Sequence, residues 1–103
     1  MALAKSFDKW EEWQKVAYPF HKKSDLAKMF LVAEFRFGRN YLCLIDRREP
    51  YLENHGMQRL YLNGYCFLFG FSREIGLKKF EYFCTGLKDG TLKLPYDCPV
   101  YKD

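Results

Sequence analysis

Residues 58–71 read Gln58-Arg59-Leu60-Tyr61-Leu62-Asn63-Gly64-Tyr65-Cys66-Phe67-Leu68-Phe69-Gly70-Phe71. Asn63-Gly64 is the dipeptide that best tolerates the two positive φ angles of a type I′ turn, and alternating apolar runs flank it. The stretch therefore predicts a β-hairpin. Pairing its strands across a two-residue turn puts Leu60, Leu62, Tyr65, Phe67 and Phe69 on one face, expected to meet the core. Arg59, Tyr61, Cys66 and Leu68 fall on the other, expected to look outward, because the side-chain period of a strand is two.

Upstream, Met29–Phe37 alternates in part, with Leu31, Ala33, Phe35 and Phe37 on one side and Phe30, Val32, Glu34 and Arg36 on the other. Gly38-Arg39-Asn40 reads as a hairpin loop and Tyr41–Asp46 as the returning strand. A three-residue loop would place Tyr41, Cys43 and Ile45 on the Phe35 face; a two-residue loop would place Leu42 and Leu44 there. The three-residue form is the expectation here. Residues 47–57 are polar, and Pro50 and Gly56 mark a loop. Nearer the start, Ser6 or Asp8 can cap a helix running to about Tyr18, with Phe7, Trp10, Trp13 and Ala17 on one stripe and Pro19 ending it.

Downstream, Ser72 offers an N-cap, and Gly76, Phe80, Phe83, Cys84 and Leu87 fit a helical stripe reaching Thr85-Gly86. Gly76 and the aromatic run Phe80-Glu81-Tyr82-Phe83 are also compatible with strand. Asp89-Gly90 reads as a turn, Thr91–Leu94 as a short strand, and the Pro95 and Pro99 region as an irregular tail. The expected fold is α+β, one compact domain over residues 1–103. It has a single antiparallel sheet of four to five strands built from two hairpins, an N-terminal helix and a second helix before the last strand.

With 103 residues, the chain can bury about two-thirds of its unfolded surface in one core. Ten Phe, eight Tyr and two Trp make 19% aromatic content, more than one small core needs, so several rings should reach a surface. Surplus surface aromatics favour an interface. The net charge of +4 and pI near 8.9 suit an acidic partner or nucleic acid without requiring either. The four cysteines, Cys43, Cys66, Cys84 and Cys98, form no C-x-x-C pair, and with only His21 and His55 beside them no zinc-ligand pattern emerges. Neither a metal nor a cofactor is expected. With no signal-like segment and no long apolar run, the reading is cytoplasmic, with free thiols and no membrane association.

Catalytic motifs are absent: no G-x-S-x-G and no phosphate-binding G-x-x-x-x-G-K-[ST] occurs. Two groupings could do acid–base work, His21 with Asp25, and Glu34 with Asp46 across the first hairpin. Solvated strand carboxylates are the plainer explanation, and the chain is read as non-enzymatic. The residues assigned to binding a partner are Arg36, Arg39, Arg47, Arg48, Arg59, Tyr61 and Leu68, an aromatic and guanidinium surface of the composition that interface hot spots favour. The function expected is a small stand-alone regulator or inhibitor, of the kind phages and mobile elements encode, docking on a larger protein; self-association as a homodimer is compatible with it.

The alternative is RNA or single-stranded DNA binding, in which Tyr rings stack on bases while Arg side chains hold phosphates. Asn63–Phe69 locally resembles the central strand motif of RNA-recognition-motif domains, and the helix and strand expected after it keep that family's order. The resemblance covers part of the chain and implies base stacking on Tyr65 and Phe67. Asn63 stands where a basic residue is usual, Gly70 where an aromatic is, and no β-α unit precedes the motif.

Overall fold

The computed structural model describes residues 28–48 and 57–102. It contains a four-stranded antiparallel meander, β1 (Met29–Phe37), β2 (Asn40–Arg47), β3 (Met57–Leu62) and β4 (Tyr65–Phe71), in spatial order β1-β2-β3-β4. One helix, α1 (Arg73–Asp89), follows and packs on one face of the sheet. The α+β architecture agrees with the sequence. Of the two expected helices the structure shows one; the N-terminal helix lies outside the described residues, as do His21 and Asp25.

The central turn forms as its sequence dictates: Asn63 has φ 51° and Gly64 φ 87°. The first hairpin corrects an expectation. Phe37 pairs with Asn40 across a two-residue turn, Gly38-Arg39, with Gly38 at φ 59°. A glycine that readily takes positive φ at the first central position lets the chain reverse in two residues rather than three. Leu42 therefore sits opposite Phe35, and Leu42 and Leu44, not Tyr41, Cys43 and Ile45, face the helix.

Bulges overturn more of the simple alternation. In β1, Leu31 pairs with Ile45 but Ala33 with Leu44, so Val32 is the extra residue. Leu31 thereby leaves the Ala33–Phe35 face. In β4, Tyr61 pairs with Cys66 and Leu60 with Leu68, leaving Phe67 and Leu68 both opposite one residue. Phe67 and Leu68 thus both pack into the helix-side core, although Leu68 was expected to look outward. Phe69, expected inward, pairs with Arg59 on the far face and is 66% exposed. A second irregularity at Gly70, φ 89°, returns Phe71 to the helix side opposite Gln58. A bulge shifts the phase of every later side chain by one, which a strict period-two reading cannot follow.

Helix α1 starts at Ser72, whose Oγ accepts from the Ile75 amide (3.3 Å), with Glu74 in the first turn. It continues past Gly86 and stops at Gly90, φ 74°, where the amides of Gly90 and Thr91 both reach the Gly86 carbonyl. The two internal glycines have packing reasons. A Cβ on Gly76 would lie 3.1 Å from Leu44, 3.2 Å from Phe71 and 3.3 Å from Gln58, so the helix rests closely on the sheet there. A Cβ on Gly86 would lie 3.2 Å from Leu92 Cα, because the chain after the helix folds back along it. That chain, residues 91–102, is irregular: Thr91–Leu94 is not a strand, and Leu92, Leu94 and Cys98 instead pack against the helix-side core. At the centre of that core Phe67 meets Phe83 edge to face, centroids 4.9 Å apart.

The tail is fastened by two buried asparagines. Asn63 Oδ1 accepts from the Tyr41 amide (2.8 Å), and its Nδ2 donates to Asn40 Oδ1 (3.0 Å) and to the Pro99 carbonyl (2.9 Å). Asn40 in turn donates to the Tyr101 carbonyl and accepts from the Tyr101 amide, each at 2.8 Å. One turn residue thus sets a hairpin, closes the end of β2 and anchors the tail.

Candidate functional site

The seven residues assigned to a partner surface do not form one surface. Leu68 packs against the helix-side core, and the other six fall into three groups. At the Gly38-Arg39 end, Arg36 Nε donates to the Gly38 carbonyl (2.7 Å), and Arg39 lies 4.7 Å from the Tyr101 ring centroid. An open groove of about 770 Å³ runs nearby between Phe37, Leu87 and the tail residues Leu92, Leu94 and Val100. At the opposite end, Arg47 is half-buried and engaged within the chain, while exposed Arg48 lies 5.4 Å from the Phe30 centroid. Arg48 also reaches the buried Asp46 (3.4 Å), whose Oδ2 accepts from Arg73 Nη2 at 2.7 Å. That pairing ties the first turn of α1 to the sheet; a carboxylate so buried needs its cation.

Asp46 projects toward the helix. Glu34, paired with Cys43, is on the far face and accepts from the Tyr41 hydroxyl. The carboxylate pair that the sequence suggested is therefore not assembled. Among the described residues no cluster of three or more His, Cys, Asp or Glu could hold a metal, and no helix is long and apolar enough to cross a membrane.

The third group is Arg59 with Tyr61. The outward face of the central hairpin is not open at its middle: Tyr61 is buried, in a cluster with Met29, Tyr41, Cys43 and Ile45. Burial pushes the Tyr61 phenol up, against a hydrogen bond from Arg59 that lowers it. Arg59 is half-buried beside it, opposite Ile45 on β2 and Phe69 on β4. Its Nε is buried with no hydrogen-bond partner, and no carboxylate pairs with it among the described residues.

Beyond Arg59 lies β4, and here aromatic surface accumulates. Phe69 and Cys66 are exposed on the far face, Tyr65 is exposed opposite Leu62 on the helix-side face, and Met57 at the start of β3 lies beside Gly70. Among the described residues β4 pairs with β3 alone. From Tyr65 to Phe71 the strand carries no charge and no proline. The other edge strand, β1, carries Glu34 and Arg36. Sequence reading missed Phe69 and Tyr65 as surface residues. Phe69 is turned out by the bulge at Phe67-Leu68, which no glycine or proline marks, and Tyr65 keeps its expected facing opposite Leu62 yet stays exposed; Gly70 marks only the second irregularity, which returns Phe71.

The thiols offer no activated nucleophile: burial pushes all four upward, Cys43 well above the ordinary thiol value and Cys84 to about 11. Phe67, which the RNA-recognition-motif resemblance makes a base-stacking residue, is sealed beneath α1 against Phe83 and cannot stack on a base. No family model matches this chain, and no curated protein and no solved structure is significantly similar to it.

Proposed function

We propose that this chain is a non-enzymatic binding protein that docks on a larger protein by accepting an extended segment of that partner along β4. The observation that carries the reading is the composition of this edge. Natural edge strands are usually blunted by Lys, Pro or inward charges, because their unpaired backbone groups template further pairing. Tyr65–Phe71 has none of these; of its two bulges, a device that can also shield an edge, the first turns Phe69 out into solvent instead of into the core. Main-chain hydrogen bonds would supply affinity and the two exposed rings would supply anchors. Holding a segment of the partner in this way would regulate or inhibit it, in a reducing setting such as the cytoplasm that suits four unpaired thiols.

The test uses a displayed library of random twelve-residue peptides, selected against the whole chain, and the variant Phe69→Lys. Phe69 is 66% exposed, so the charge should leave the fold intact by circular dichroism. Loss of an exposed aromatic anchor should weaken selected peptides at least about 30-fold, a hot-spot effect of about 2 kcal/mol. Selected peptides indifferent to Phe69→Lys, or a library yielding no binder, would overturn the proposal. So would tight binding of a random single-stranded RNA pool that collapses with salt, the mark of phosphate contacts.

A further inference from the structure

Resting on that reading, we infer that the segment taken up by β4 is acidic, with an Asp or Glu side chain placed to pair with Arg59 across the Phe69 ring. Arg59 is a cation set half-buried in an apolar neighbourhood of Ile45, Phe69 and Tyr61, with its Nε buried and unpartnered. The Nε of this guanidinium has given up hydration, and the hydrogen bond that Arg59 shares with Tyr61 is to a neutral hydroxyl. A carboxylate is the group its planar donor fork fits.

The geometry admits one. Strands are about 4.8 Å apart, so a strand added to β4 lies about 10 Å from β3. The residue that would pair with Phe69 shares the face of Arg59, because directly opposed residues point to the same side. An Arg side chain reaching outward and a Glu reaching back can together span two strand spacings, with Phe69 beneath them. Charge chooses among occupants. A second copy of this chain would bring another β4 without a single carboxylate and a second Arg59, and the whole chain is already at +4. A segment of acidic character meets both the local cation and the overall charge.

The experiment takes the peptide with the greatest sensitivity to Phe69→Lys and remakes it with each acidic residue changed in turn to the amide. One Glu→Gln or Asp→Asn change should weaken binding to the wild-type chain about tenfold, near 1.4 kcal/mol. That preference should persist in Arg59→Lys and vanish in Arg59→Gln, with the fold of each checked by circular dichroism. Peptides that bind β4 with no acidic position mattering would overturn this inference and leave the edge-docking reading standing. An acidic preference undiminished in a folded Arg59→Gln variant would overturn it as well. Peptides insensitive to Phe69→Lys would instead remove the edge-docking reading itself, and a chain that sediments as a β4-dependent dimer would replace the acidic segment with a second copy.

Discussion

Replacing Asn63 by glycine separates two roles that one residue combines. Asn63 holds φ 51° in the turn, and its side chain makes three hydrogen bonds, with the Tyr41 amide, Asn40 Oδ1 and the Pro99 carbonyl. Glycine keeps the positive φ at no steric cost and deletes only the side chain. Each lost bond is worth about 1 kcal/mol net, a figure taken to include the cost of leaving the buried Tyr41 amide without its acceptor. Greater freedom of the unfolded chain adds about another 0.5 kcal/mol. The sum is about 3–4 kcal/mol, a large share of the 5–15 kcal/mol typical of a domain. With a urea m-value of about 1.5 kcal/mol/M, the midpoint of unfolding should fall by roughly 2 M. Urea titration by far-ultraviolet circular dichroism measures it, and amide exchange should show Tyr101 losing protection in the same variant. Asn63→Ala should be worse by about 1–2 kcal/mol, because alanine resists the left-handed conformation. A glycine variant within 1 kcal/mol of wild type, with Tyr101 still protected, would refute the claim that this side chain fastens the tail.

Three further outcomes follow from the same structure. Gly76→Ala should lose about 1–2 kcal/mol in urea unfolding, because the new methyl meets Leu44, Phe71 and the stiff Cβ of Gln58 within 3.3 Å and overpacking outweighs the gain in helix propensity; a stabilised variant would contradict this close seating. Gly90→Ala meets no atom within 4 Å, so its cost is the φ of 74° alone, about 1 kcal/mol, and Gly90→Asn should recover part of it. The thiol of Cys84 is pushed up to about 11 in the folded chain from 9.0, so the fold favours the protonated form. That contribution is whole below pH 9 and disappears as pH rises toward 11, so the urea midpoint should decline in this window and decline less in Cys84→Ala; equal declines would contradict it.

The turn and the helix were legible because their signals are local. Asn63-Gly64 and the Ser72 cap act over a few residues, and no distant contact is needed to enforce them. Side-chain facing was legible only up to the first bulge. Leu60, Leu62 and Phe67 lie inward as the alternation requires, and beyond Phe67 the extra residue exchanges Leu68 for Phe69. This exchange decided the site: the chosen Leu68 belongs to the core and the overlooked Phe69 to the surface. Tyr61 failed for a different reason. Its strand position was right, but burial on the far face depends on what packs there, which period-two patterning does not encode. Thr91–Leu94 was misread as a strand because Leu92 and Leu94 pack against the helix-side core rather than on a neighbouring ladder, while the Pro95 and Pro99 region is the irregular tail its prolines announce.

The account rests on β4 as the place where another chain is received. Amide chemical-shift mapping of the labelled protein, titrated with the peptide selected above, tests it most directly. The largest changes should fall on Tyr65–Phe71 and on Arg59, with the β4 amides gaining protection from exchange as new backbone pairing forms. Changes concentrated around Arg39 and Tyr101, or a saturated complex in which the β4 amides neither shift nor gain protection, would contradict it.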